Sequence, residues 1–164
     1  MKYYIIGDTH FGHRELEEYC DRPENFESLI IKNWVKTISK DDLLIHLGDV
    51  CLGDNDYWHR IMNSLPCRSK ILCLGNHDSK SMHWYLNHGW NFVCNNFTMS
   101  YMNKDIIFSH LPLLYTNYDL NIHAHCHTKK RELFDKKQYL FTLEHEYKPV
   151  LLDDIILSIV SKKY

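Results

Sequence analysis

The 164-residue chain lacks the features of disulfide-rich secreted proteins and of membrane-spanning proteins. Its six cysteines form no CxxC pair, and no signal-peptide pattern precedes the first strand-like segment. No apolar stretch approaches the ~20 residues that a membrane-spanning helix requires. We therefore expect reduced cysteines, a cytoplasmic location and no membrane association.

The chain also lacks an excess of charge of either sign. Its net charge of −2 creates no field that would draw it to a nucleic acid or to an anionic membrane. Short basic clusters, such as residues 129–131, are typical of solvated loops rather than of polyanion sites. Because neither a repeat nor a linker interrupts the chain, we expect a single domain over residues 1–164.

Histidine is the over-represented residue, with twelve copies. Three of them, His123, His125 and His127, occupy every second position and would share one face of an extended strand. A sharp turn after Ala124 would instead bring only the last two together. Imidazoles gathered in this way indicate a divalent metal, because a metal binds the neutral ring.

The first half of the chain alternates between apolar strands and amphipathic helices. Strands are predicted at residues 2–6, 43–47 and 70–74, and helices are predicted to start near Pro23, Asp54 and Ser79. This alternation predicts an α/β architecture with a partly parallel sheet. The second half is predicted to form a β-meander at residues 91–109, a strand at 120–124, a hairpin of 131–134 with 139–143, and a helix capped by Asp153.

Polar side chains follow five of the predicted strands. Because strand ends of an open α/β sheet meet in one crevice, we expect these residues to converge: Asp8 and His10, Asp49, Asn76 with His77 and Asp78, His110, and His125 with His127. Clustered carboxylates and imidazoles need a cation, because unpaired buried charge is costly. The mixed N/O set favours Mn, Fe, Zn, Ni or Co, and the number of ligands indicates two metals.

In order along the chain, these motifs resemble the motif set of the calcineurin-like metallophosphoesterases. They are Asp8-x-His10, Gly48-Asp49, Gly75-Asn76-His77-Asp78, His110 and His125-x-His127. The segment Cys20-Asp21-Arg22-Pro23 is similar to the small bacterial and phage branch of the family. The resemblance covers nearly the whole chain. It implies a sandwich of the αββα type, in which two mixed β-sheets are flanked by helices.

The resemblance also implies roles for the residues that match. Asp8, His10, Asp49 and His127 would bind one metal, and Asp49, Asn76, His110 and His125 would bind the other, with Asp49 bridging. A hydroxide that bridges the metals would attack phosphorus. His77 would contact the phosphate and protonate the leaving oxygen, and Asp78 would orient the His77 ring.

Four further residues carry weaker expectations. His13 could contact the substrate phosphate or be a satisfied loop histidine, and Arg22 could grip a phosphate or form a structural salt bridge. His123 would support the ligands without binding a metal. Ala124 replaces the glycine of the family motif, and we expect that this position requires only a small residue.

We expect a dinuclear metal-dependent phosphoesterase, and a phosphodiesterase in particular, because little chain length remains for a separate cap domain and an open site suits a diester. The alternatives are a phosphomonoesterase acting on nucleotides or proteins, and a non-catalytic binding scaffold of the same fold. The expected cofactors are two divalent ions, with Mn preferred over Fe, Ni, Zn or Co. The expected partner is a phosphate-ester substrate such as a nucleotide or cyclic nucleotide, and no strong nucleic-acid signal is present.

Overall fold

The computed structural model describes residues 1–114, 117–128 and 137–161. The strands are β1 (Tyr3–Ile6), β2 (Leu43–His46), β3 (Ser69–Cys73), β4 (Phe92–Cys94), β5 (Asn96–Tyr101), β6 (Lys104–Ser109), β7 (Leu120–His123), β8 (Gln138–Leu140) and β9 (Val150–Leu151). The helices are α1 (Leu16–Tyr19), α2 (Phe26–Thr37), α3 (Asn55–Ser64), α4 (Met82–Asn87) and α5 (Leu152–Ser161), with a 3₁₀ turn at Leu143–His145.

The first sheet has the strand order β4-β3-β2-β1-β9. Strands β1 to β4 are parallel to one another, and β9 lies antiparallel to β1 at one edge. Strands β1 and β2 are short, mainly apolar runs that are buried over most of their length, as expected for strands covered on both faces. Their carboxyl ends share one edge of the sheet, and that edge carries the residues of the first three motifs.

The second sheet has the order β5-β6-β7-β8. Only β5 and β6 are antiparallel, while β6, β7 and β8 are parallel to one another. The predicted meander is therefore wrong, since β4 belongs to the first sheet and only the β5–β6 hairpin fits it. The predicted hairpin strand at residues 131–134 lies outside the described residues, and β8 pairs with β7 instead.

One continuous hydrophobic cluster includes residues of both sheets and of the long helices. Ile5 and Leu72 enter it from the first sheet, and Phe108 and Ile122 enter it from the second. Helix α2 contributes Trp34, which is fully buried. Burial of each such side chain stabilises the fold by roughly 1.5–3 kcal/mol. The fold prediction is confirmed: this is a mixed α/β protein with two mixed sheets flanked by helices.

The helix starts agree with the sequence signals in part. Asp54 caps α3, as predicted, by accepting a 2.9 Å bond from the Tyr57 N–H. Helix α4 begins three residues later than predicted, because Ser81 provides its cap. Asp153 lies inside the first turn of α5, and its carboxylate accepts a hydrogen bond from the Tyr101 hydroxyl at 2.7 Å. None of the described helices has the length and apolar character needed to cross a membrane.

Candidate dinuclear metal centre

The loops that follow β1 and β2 run side by side and extend the parallel pairing of these strands. Three backbone bonds join them: Asp8 N–H to Gly48 C=O at 2.9 Å, His10 N–H to Asp49 C=O at 3.0 Å, and Phe11 N–H to Val50 C=O at 3.0 Å. The same pairing continues as an isolated bridge between Phe11 and Cys51. Two motifs that are about 40 residues apart in sequence are thereby fixed next to each other.

Four of the predicted ligands have left-handed backbone conformations. The φ angles are +52° at Asp8, +45° at His10, +55° at Asp49 and +73° at His125. Residues other than glycine rarely adopt such φ angles, and residues that do so cluster at functional sites. The positive angle of the last motif thus falls at His125 and not at Ala124, which is fully buried. Ala124 therefore meets the requirement for a small residue.

Two groups of side chains in the described part of the chain could each hold a metal ion. They are Asp8 with His10 and His127, and Asp49 with His110 and His125, and within each group the ligand atoms lie within 4.8 Å of one another. Asp49 also connects the groups, because its Oδ2 lies 3.4 Å from His10 Nε2 and 3.5 Å from His110 Nε2. Its carboxylate thus stands where a bridging ligand would stand.

In the second group, one ring nitrogen of His110 is an acceptor that faces the other ligand atoms. His110 Nδ1 lies 2.8 Å from the Leu47 carbonyl oxygen, so Nδ1 must carry the proton that is donated there. His110 Nε2 is then the free acceptor, and it lies 2.9 Å from Asn76 Oδ1 and 3.1 Å from His125 Nδ1. These three atoms lie close enough together to serve as ligands of one cation.

The first group contains buried atoms that lack a hydrogen-bond partner, namely Asp8 Oδ1 and His10 Nε2. Burial raises the pKa of Asp8 to about 8, with the Asp49 and Glu144 carboxylates adding to the rise and His127 opposing it. Burial and the nearby His127 lower the pKa of His10 to about 2. A divalent cation would favour an ionised Asp8 beside a neutral His10, so the donor set fits a metal ion.

His77 lies at the exposed mouth of this cluster. Its backbone N–H donates to Asp49 Oδ1 at 2.8 Å, and its ring centroid lies 5.2 Å from that of His10. Asp78 differs from the prediction that it orients the His77 ring. Its carboxylate accepts the backbone N–H bonds of Asp49, Gly75 and Val50 at 2.8, 2.8 and 3.0 Å. Asp78 therefore organises the backbone that presents the ligands.

Arg22 also differs from the predicted substrate contact, and the alternative of a structural salt bridge is what the structure shows. The Arg22 side chain is fully buried, and its Nη2 donates to Glu144 Oε1 at 2.6 Å. The same guanidinium donates to the carbonyl oxygens of Asp8 at 2.8 Å and Thr9 at 3.2 Å. Because the Arg22 side chain is buried, it does not reach the surface from which a substrate would bind.

His13 and His123 both lie near the ligand groups. His13 Nδ1 lies 3.4 Å from His10 Nδ1, and the His13 ring is 5.8 Å from that of His77, so His13 remains a candidate for substrate contact. His123 is buried and belongs to neither ligand group of the described residues. Its Nδ1 lies 3.1 Å from the Ala124 carbonyl oxygen, which places it behind the turn that carries His125.

Glu144 is a residue of the site that carries no sequence motif. Its Oε1 accepts a hydrogen bond from His127 Nδ1 at 2.9 Å, in addition to the bonds from Arg22. The pKa of Glu144 is lowered even though burial acts to raise it, because the His127 bond and the Arg22 charge outweigh burial. No local signal in the sequence distinguishes it from the nearby Glu146.

Comparison with known proteins gives one consistent result. The sequence model of the calcineurin-like phosphoesterase family matches residues 1–158. An uncharacterized protein of Methanocaldococcus jannaschii is 29% identical, and the match covers 98% of this chain and 92% of that protein. The solved structure of a protein of unknown function from Aquifex aeolicus has a TM-score of 0.81 at 27% identity, covering 96% of this chain and 98% of that one. An archaeal phosphodiesterase shares the fold at a TM-score of 0.52 and 18% identity, covering 87% of this chain and 82% of that one.

Proposed function

Because the chain belongs to the calcineurin-like phosphoesterase family, we propose that it is a dinuclear metal-dependent phosphodiesterase. The observation that supports two metals most directly is the position of the Asp49 carboxylate. Its Oδ2 lies between one ligand group and the other, at 3.4 Å from His10 Nε2 and 3.5 Å from His110 Nε2. One carboxylate oxygen shared in this way is typical of paired metal sites.

The two metal positions use residues from five segments of the chain. Asp8, His10, Asp49 and His127 would hold one cation, and Asp49, Asn76, His110 and His125 would hold the other. Two divalent cations, with manganese as the first candidate, would neutralise charge on the phosphoryl oxygens and lower the pKa of water. The exposed ring of His77 is the nearby group that can pass a proton to the leaving oxygen.

A hollow beside the second ligand group provides space for an organic group of a phosphate ester. Its volume is about 310 Å³, and its walls include Asn76, His110, Leu74, Leu111 and Leu113. No charged side chain stands among its lining residues, so the hollow suits an uncharged organic group rather than a second phosphate. A phosphodiester carries such a group on each side of phosphorus, and a cyclic nucleotide would supply it as a nucleoside.

The test compares hydrolysis of bis-p-nitrophenyl phosphate with that of p-nitrophenyl phosphate by metal-loaded protein, across Mn, Co, Ni, Zn and Mg. We expect the diester to be the better substrate, and Asp49→Asn to abolish turnover because it removes the shared charge. Faster hydrolysis of the monoester would favour the phosphomonoesterase alternative. Unchanged turnover in Asp49→Asn, or no bound metal in the wild type, would refute the proposal.

A further inference from the structure

An ion pair and a hydrogen bond lie behind the first ligand group. Glu144 pairs with Arg22 and also accepts a hydrogen bond from His127. The Glu144 oxygen Oε1 receives Arg22 Nη2 at 2.6 Å, Arg22 Nε at 3.0 Å and His127 Nδ1 at 2.9 Å. The side chains of Arg22 and Glu144 are 0% and 1% exposed, so solvent screens this ion pair little. Arg22 and Glu144 are 122 residues apart in sequence, and Arg22 and His127 are 105 apart.

The carboxylate determines which nitrogen of His127 carries a proton. An ionised Glu144 can only accept, so His127 Nδ1 must donate to it. His127 Nε2 is then unprotonated, and it is the nitrogen left for the group that contains Asp8 and His10. A carboxylate behind a ligating imidazole fixes the ring and makes it a stronger donor to a metal.

Arg22 joins this carboxylate to the other ligands of the same metal position. Its guanidinium donates to the carbonyl oxygens of Asp8 and Thr9 as well as to Glu144. One side chain thereby fixes both the left-handed turn at Asp8 and the carboxylate that holds His127. The positive charge of Arg22 also balances Glu144, so the carboxylate orients His127 without adding net negative charge beside Asp8 and Asp49.

The second metal position has no such support in the described part of the chain. His110 donates its Nδ1–H to the neutral carbonyl of Leu47 and not to a carboxylate. A neutral acceptor raises the basicity of an imidazole less than an anionic one does. The two positions therefore differ in the groups behind their histidines, although their ligand types are similar.

We propose that Arg22 and Glu144 are positioning residues that present His127 Nε2 to the Asp8–His10 metal position and make this position the tighter of the two. The proposal rests on the dinuclear centre of the proposed function. It predicts that the protein loads its metals in order, first at the Asp8–His10–His127 position and then at the Asp49–His110–His125 position.

The experiment is calorimetric titration of Mn²⁺ into chelator-treated full-length protein. We expect two binding steps of unequal affinity in the wild type. Glu144→Gln should weaken the tighter step by about 10- to 100-fold and change the weaker step by less than about 3-fold. The paired variant Arg22→Met with Glu144→Gln removes both charges, so no charge is left buried alone, and it should show the same selective loss.

Asp42→Asn is the matched control. Asp42 is also a buried carboxylate, and it accepts N–H bonds from Lys2 and Ser39 away from the ligand groups. This variant should leave both binding steps unchanged, although it lowers the stability of the fold. If Glu144 only stabilised the fold, Glu144→Gln would also leave both binding steps unchanged.

The result that overturns the inference is a folded Glu144→Gln protein in which both steps weaken equally or neither changes. If this occurs while the wild type still hydrolyses phosphodiesters, the inference fails alone and the proposed function stands. Selective weakening in a protein without phosphoesterase activity would uphold the positioning pair and refute the proposed function. Absence of any metal binding would refute both.

Discussion

Replacing Asp78 with asparagine should destabilise the fold by about 2–4 kcal/mol, beyond any effect on turnover. The Asp78 carboxylate accepts three backbone N–H bonds, two at Oδ2 from Asp49 and Gly75 and one at Oδ1 from Val50. These bonds connect the loop after β2 with the loop after β3. Since both loops carry predicted ligands, the carboxylate acts as a clamp between two motifs.

The magnitude follows from the atoms that asparagine can replace. The amide oxygen would stay on the two donors at Oδ2, and the NH₂ group would then face the N–H of buried Val50. An unpaired buried N–H costs about 1–3 kcal/mol, and the two bonds that remain lose roughly 1 kcal/mol each when their acceptor becomes neutral. Part of this loss of stability is offset, because a neutral amide costs less to bury than a carboxylate. Burial of the Asp78 carboxylate outweighs its hydrogen bonds and raises its pKa.

Urea unfolding followed by circular dichroism measures this change. With a slope of about 2 kcal/mol per molar urea, the midpoint should fall by roughly 1–2 M. The exposed Asp41→Asn serves as the control and should unfold as the wild type does. An Asp78→Asn protein with the wild-type midpoint but little turnover would show that Asp78 acts on His77 and would refute our reasoning.

Three further predictions follow from the same structure. Gly75→Ala should abolish binding of both metals in calorimetry, because its Cβ would lie 2.1 Å from Asp49 Oδ1, whereas Gly53→Ala, with open space around it, should not. Burial lowers the pKa of His46 to about 3. Below pH 6.5, His46 therefore binds a proton in the unfolded chain but stays neutral in the folded protein. Metal-free wild type should therefore lose about 1 kcal/mol more stability than His46→Gln between pH 6.5 and 5.5, measured in urea. Mn²⁺ at about 1,000 times its Kd should stabilise the fold by about 4 kcal/mol, and excess chelator should reverse the rise in melting temperature.

The α/β layering could be predicted because parallel strands covered on both faces leave short, continuous apolar runs in the sequence. The order of the later strands could not. The tight spacing of β4, β5 and β6 indicates hairpins, but β4 pairs with β3 in the other sheet. A strand as short as Phe92–Cys94 carries too little pattern to show which sheet will bury it. The strand that pairs with β4 is determined by tertiary packing, which cannot be inferred from the local sequence.

The ligands could be predicted because their side-chain types and strand-end positions are both local features of the sequence. The supporting residues could not, since their roles depend on long-range contacts. Glu144 meets Arg22 across 122 positions and lies in a 3₁₀ turn with no motif. Asp78 was expected to serve its neighbour His77, but adjacent side chains diverge, and its carboxylate reaches backbone donors of two loops instead.

The backbone at the ligands is held in a strained conformation by protein contacts. Left-handed φ angles at Asp8, His10 and Asp49 cost roughly 1–2 kcal/mol each, and glycine would remove that cost but would provide no ligand atom. The three loop–loop hydrogen bonds, the Asp78 clamp and the Arg22 contacts to Asp8 and Thr9 offset this strain. Protein contacts therefore contribute directly to the placement of the ligands.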